Sequence, residues 1–286
     1  MRTVKFQDAL RGAAESTGRI YDTISNDEFT LFRGFISRRL REAWESEYWP
    51  ELMLIESRRY GTGTWSATGG DASDGVYASS DIVYHSTSYY EANTATTSSD
   101  TPGVSADWDL VTDFHHYIEY EQPDQTKLGQ LYRILSKDSR INHNWIEYDF
   151  TMSSNGVTLI NGPDLPYIEF RKRAPELTGS DWDTAVVYAV DDQAYYSGDF
   201  WNALTVRDAS TAAPTASDTT NWEIQAIPYI FKPYLEKAAA SDMLLLDEKT
   251  DLAMAQQTMA REALDIECIK LYRQQGQTSR IKVRTY

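Results

Sequence analysis

The sequence predicts an α+β fold: a helical bundle domain formed by both chain ends, with a long β-rich insertion between them. Three observations predict it. Apolar residues recur with helical spacing near both ends. Between about Gly61 and Pro228 the pattern changes to short alternating runs broken by turn residues. Inside that middle stretch, one motif occurs twice.

At the N-terminal end, Ser25 and Glu28 have the spacing of a capping box, and Phe29, Phe32, Ile36, Leu40, Ala43 and Trp44 then fall on one helical face. Arg33, Arg38, Arg41 and Glu45 fall on the opposite face, and Pro50 interrupts the pattern. A shorter amphipathic stretch with Phe6, Leu10 and Ala13 precedes it and stops at Gly18. At the other end, a helical run follows Pro233 through Leu246. A second is expected from about Asp251 to Gln275, with Leu252, Ala255, Met259, Ala263 and Ile266 as its stripe and Gly276 as its stop. Each end supplies an apolar face that needs a partner, so the two are expected to pack as one domain.

In the middle, Trp145 to Phe150 alternates as a strand would. Asn155-Gly156 reads as a hairpin turn into Val157 to Ile160, and Asn161-Gly162-Pro163 turns the chain into Tyr167 to Phe170. These read as a small antiparallel meander. The repeat sets Val76-Tyr77-Ala78 against Val187-Tyr188-Ala189, an offset of 111 residues. At the same offset Asp81 matches Asp192, Tyr84 matches Tyr195, Tyr89-Tyr90 matches Phe200-Trp201, and Ala92 matches Ala203. Trp65 and Trp182 open the two units, and Trp108 and Trp222 close them. The expected plan is therefore a helical domain's first part at 1–60, a β module at 61–112, the meander at 113–177, the second β module at 178–228, the helical domain's second part at 229–275, and an extended C-terminal arm at 276–286.

Composition bounds the function. The net charge of −16, from 43 acidic and 27 basic side chains, repels phosphate and argues against wrapping nucleic acid, although an acidic wall suits a conduit through which DNA passes without sticking. Nineteen tyrosines, eight tryptophans and nine phenylalanines suit a β core and broad interfaces. The single Cys268 cannot form an internal disulfide. No apolar run is long enough to cross a bilayer, and the N-terminus lacks the order of a signal peptide, so synthesis and residence in the cytoplasm, with no membrane partner, are expected.

Catalytic motifs are missing from the sequence. There is no phosphate-binding glycine loop, no nucleophile elbow and no zinc-binding His-Glu-x-x-His. His115 and His116 are adjacent, so on a strand they face opposite ways. Asp107 and Asp109 flank Trp108, but the second repeat replaces them with Asn221 and Glu223. The expectation is a structural protein with no enzymatic activity, no cofactor and no metal.

Two resemblances sharpen this. The repeat, running from Trp through Tyr, Asp, Tyr, an aromatic pair, Ala and Pro to a closing Trp, resembles the small chitin- and cellulose-binding modules of bacterial glycoside hydrolases. Those modules hold sugar on rings just after the motif's Ala, where this chain has Asn93-Thr94 and Leu204-Thr205. The fold is implied more strongly than the binding.

The second resemblance lies in Glu42-Ala43-Trp44-Glu45 through Tyr48-Trp49-Pro50-Glu51-Leu52, and in Gln274-Gln275-Gly276-Gln277 followed by Arg280 to Tyr286. Ile118 to Thr126, with Pro123, and Asn155-Gly156-Val157 belong with them. Together these are similar to neck proteins of tailed bacteriophages. The resemblance implies a head-to-tail adaptor in the virion neck: a homo-oligomeric, twelve-fold ring that binds the portal protein and the tail or a further neck protein and extends the DNA channel. It also implies a partner-binding C-terminal arm. Here that arm is Arg280, Ile281, Lys282, Val283, Arg284 and Tyr286, with Thr285 between the last two. Arg280, Lys282 and Arg284 share one side of an extended strand, and Ile281 and Val283 the other. The alternative from the residues is a peripheral decoration or fibre protein that binds host glycan through the two modules.

Overall fold

The computed structural model describes residues 2–58, 65–67, 76–97, 99–112, 118–121, 126–154, 156–160, 163, 165–208 and 212–278. Among the described residues it is a mixed α+β fold with small, mainly antiparallel sheets and four α-helices: α1 (Phe6–Ser16), α2 (Asn26–Ser46), α3 (Lys232–Leu246) and α4 (Thr250–Thr278). The chain divides into two compact units, one of Met1–Glu51 with Ala174–Tyr286 and one of Leu52–Arg173.

The first unit holds all four helices. In α1, Phe6, Ala9, Leu10, Ala13 and Ala14 are buried on one face. The helix stops where Gly18 turns left-handed at φ +83°, so that Gly18 and Arg19 return their N–H groups to Glu15 and Ala14. Helix α2 starts with the expected capping box. Glu28 N–H donates to Ser25 Oγ, and Ser25 N–H donates to the Glu28 carboxylate. Phe32, Ile36, Leu40, Ala43 and Trp44 are buried, as the periodicity requires. Helix α3 is apolar around most of its circumference, and α1, α2 and α4 all pack against it. Residues from both ends of the chain thus form one helical core.

Two charged groups sit inside this core. Arg39 on α2 donates from Nε and Nη2 to Asp242 on α3 at 2.9 and 2.6 Å, and Arg38 adds a contact at 2.8 Å. The Asp242 side chain is only 5% exposed. The paired charges hold the Arg39 guanidinium above its ordinary range, with the Asp242 bond as the largest cause.

Several boundaries differ from the sequence expectation. The stripe assigned to α4 faces outward: Leu252, Met259 and Ile266 are 59%, 50% and 53% exposed. The buried positions are Ala253, Ala260 and Leu271. Helix α3, in which Ala238, Ala239 and Ala240 are buried, packs against α4, and Ser241 Oγ donates to the Ala253 carbonyl at 2.8 Å. Small side chains on both helices permit close approach, and the larger ones are left outside. Helix α4 also continues through Gly276 to Thr278 rather than stopping there. The first helical part ends before residue 60, because Met53–Ser57 is a strand of the second unit.

The second β module belongs to the helical unit, not to a separate insertion. Its hairpin, Gln193–Tyr196 with Asp199–Ala203, seats α1. Phe6 N–H donates to Asp199 Oδ1 at 3.1 Å, and Gln7 N–H to the Gly198 carbonyl at 2.9 Å. Phe6 stacks edge-on to Phe200 at 4.9 Å. Gly198 has φ +90°, and a Cβ there would lie 2.4 Å from Gln7 Oε1, so only glycine allows this approach.

The second unit contains the first module and two further sheets. The expected meander is not what forms. Tyr167–Lys172 lies between Met53–Ser57 and Leu128–Leu135, antiparallel to both, while Gly156–Leu159 pairs with Phe150–Met152 and Ile118–Glu119. The strand expected over Trp145 to Phe150 reduces to a single bridge, Glu147 to Leu135, before Phe150. Ile134, Ile168, Phe170, Val157 and Leu159 form its core.

The two modules repeat several of the same contacts at their key positions. Tyr77 meets Trp108 edge-on at 5.4 Å, and Tyr188 meets Trp222 at 5.5 Å, both with interplanar angles of 69°. Asp81 accepts the Ala78 N–H at 2.7 Å, and Asp192 accepts the Ala189 N–H at 2.7 Å. Trp65 and Trp182 donate their backbone N–H groups to Tyr84 and Tyr195. Even the unusual backbone repeats, with positive φ at Ser80 and Asp191 and at Ser86 and Ser197. The aromatic pairs alternate as strand neighbours must: Tyr90 and Trp201 turn to the module interior, Tyr89 and Phe200 to the other face.

Candidate functional site: the outward helix faces

The arm residues singled out by sequence, Arg280 to Tyr286, lie outside the described residues, as do His115 and His116. The remaining candidates for chemistry are not brought together. Asp107 accepts hydrogen bonds from Ser105 and Thr94, a loop-bracing role, and His85 packs its ring against Trp65. Among the described residues no three His, Cys, Asp or Glu side chains are grouped to hold a metal. Burial, then the charge of Glu47, pushes the Cys268 thiol up, which disfavours the reactive thiolate. No helix among the described residues is long and apolar enough to cross a membrane.

Most aromatic rings of the modules are used internally. Tyr77, Trp108, Tyr188, Trp201 and Trp222 are all buried and form cores, whereas Tyr84 and Tyr196 are 36% and 38% exposed. Asn93 and Leu204, the positions just past the motif's Ala, are exposed and non-aromatic.

What the helical unit does present is two outward faces of opposite character. On α4, Leu252, Ala255, Met259, Glu262, Ile266 and Ile269 follow one another at three- and four-residue spacing and are all exposed. Asp251, Thr258 and Asp265 form the next column, also exposed, so from 251 to 269 this face carries three carboxylates among its apolar groups. Arg261 lies at its edge. On α2 the outward stripe is Asp27, Leu31, Gly34, Arg38, Arg41 and Glu45, with Phe35 half-buried beside it. Its middle turns are apolar and basic. Arg38 and Arg41 reach back to Asp242 and Glu176, yet their side chains remain 56% and 55% exposed. A Cβ built on Gly34 would meet nothing within 4 Å, so the α2 backbone is open to close approach there.

Exposed apolar side chains in a continuous row, rimmed by charge, mark an interaction surface on a folded domain. Hydrophobic periodicity places α4's row in the core. The signal that it is external is the other side of α4, where the small residues Ala253 and Ala260 are the buried ones.

Compared with known proteins, the chain matches no family model, no curated protein and no solved structure.

Proposed function

We propose that this chain is a structural virion protein of a tailed bacteriophage: a head-to-tail adaptor whose copies form a ring in the neck, joining the portal protein to the tail or the next neck ring. The observation that carries the reading is the helical unit built from both chain ends, with apolar, charge-rimmed faces left outward on α2 and α4. A self-contained enzyme has no use for two such faces, whereas a subunit with neighbours on both sides does. The resemblance of the two terminal segments to phage neck proteins points the same way. An overall charge of −16 suits a channel wall past which DNA slides, since positive contacts would retard it.

In this reading the basic C-terminal segment, Arg280 to Tyr286, follows α4 and docks on the portal or a neighbouring subunit. Removing residues 279–286 leaves the thermal melt of the fold unchanged and abolishes incorporation into necks. Incorporation at full efficiency would refute the arm's role. The chain is expected to turn over no sugar, nucleotide or DNA substrate; turnover lost on changing one acidic residue would refute the structural reading. The glycan-binding alternative is disfavoured by the inward-turned rings of both modules, and a glycan array with the full chain tests it directly.

A further inference from the structure

The two outward faces differ in charge, and they belong to different helices packed on α3. The α4 face is apolar and acidic between 251 and 269; the α2 face is apolar and basic between Leu31 and Arg41. Between those bounds the exposed charges of the α4 face are mainly carboxylates and those of the α2 face are guanidinium groups. Each complements the other. Resting on the adaptor reading above, we infer that the α4 face of one copy docks on the α2 face of a second copy, making a head-to-tail contact between subunits.

One antiparallel register forms three opposite-charge pairs. It sets Arg41 opposite Glu262 and Arg38 opposite Asp265, and it sets Glu42 opposite Arg261 at the edge of the stripe. The same register places Ile269 over Gly34, the open position on α2, and Tyr272 over Leu31. A parallel arrangement that keeps Arg38 opposite Glu262 sets Asp27 against Asp251, a like-charge clash. Unless both faces of one copy meet both faces of a second at once, such a contact propagates from copy to copy and closes as a ring.

The test is sedimentation velocity of the full chain across a concentration series, with circular dichroism melts to confirm folding. The unmodified chain is expected to form species larger than dimers. Ile269→Asp, at a site 48% exposed, is expected to weaken association at least tenfold without moving the melt. Glu262→Arg alone and Arg41→Glu alone are each expected to weaken it, and the two together to restore it. A chain that remains monomeric, one that stops at dimers, or single reversals without effect overturn the inference. So does failure of the double reversal to rescue. The two proposals fail separately. Rings at particle necks that survive Ile269→Asp discard the α2–α4 contact and keep the adaptor. Association that follows the charge swap, in a protein missing from necks, keeps the contact and discards the adaptor.

Discussion

Asp242→Ala is the perturbation with the clearest consequence for the helical unit. The carboxylate is 5% exposed and accepts two bonds from Arg39 at 2.9 and 2.6 Å, while Arg39 itself is only 15% exposed. Deleting Asp242 leaves that guanidinium in the core with one remaining ion pair, to Glu42 at 2.8 Å. Breaking a buried pair from one side costs about 3–5 kcal/mol, and the surviving Glu42 contact argues for the lower end, about 3 kcal/mol. At a urea m-value of about 2–3 kcal/mol per molar, the unfolding midpoint falls by about 1 M with the slope unchanged. Intrinsic tryptophan fluorescence follows it, since Trp44 and Trp49 lie in the same core. A cycle with Arg39→Met separates the pair from mere packing. If the double variant Asp242→Leu with Arg39→Met is as stable as the parent, the pair provides specificity rather than net stability. A coupling below about 0.5 kcal/mol would refute the reasoning, because it would mean that the two charges are solvated independently.

Three further outcomes follow from the geometry. Leu40→Ala, at a fully buried site, lowers stability by about 2–5 kcal/mol in the same urea titration, and a loss under about 1 kcal/mol would contradict its core position. Asp81→Ala and Asp192→Ala each remove one carboxylate that accepts a turn N–H at 2.7 Å, so both cost about 1–2 kcal/mol; thermal melts that differ widely between the two would contradict the equivalence of the modules. Arg19 bridges Glu28 and Asp247, and both carboxyls lie below the usual range: Glu28 chiefly through its bond from the Ser25 backbone N–H, with Arg19 second, and Asp247 chiefly through Arg19. Lowered folded values mean that this stabilisation is present above the ordinary carboxylate range and is lost as pH falls through the depressed values; Arg19→Gln therefore flattens the acid limb of the stability profile, and an unchanged limb would contradict the pairing.

Much of this fold was legible in the residues. The Ser25–Glu28 capping box is a local signal, decided within four positions, and it forms as read. The repeat was legible because Tyr77 and Tyr188, Asp81 and Asp192, and Trp108 and Trp222 each perform one fixed local task in a small hairpin module. Longer-range choices were not. Nothing near Met53–Ser57 says that its partner is Tyr167–Lys172, more than a hundred residues away, and Pro50 marks only where the helical pattern is interrupted. The central position of Tyr167–Lys172 was masked by Glu169 and Arg171, which are buried but satisfied by neighbours such as Arg133 and Gln130. On α4, hydrophobicity favoured Leu252, Met259 and Ile266 for the core, but the face that packs inward carries Ala253 and Ala260 instead, with Ser241 of α3 bonded to the Ala253 carbonyl. The same mismatch exposes the face on which the proposed subunit contact rests.

The central claim is most directly tested by electron microscopy of phage particles carrying this protein, with the full chain labelled at its N-terminus. A single ring of label at the junction of head and tail, one label per subunit around the axis, is the predicted result. Label spread over the capsid surface or along fibres, with the junction unlabelled, would contradict the adaptor reading.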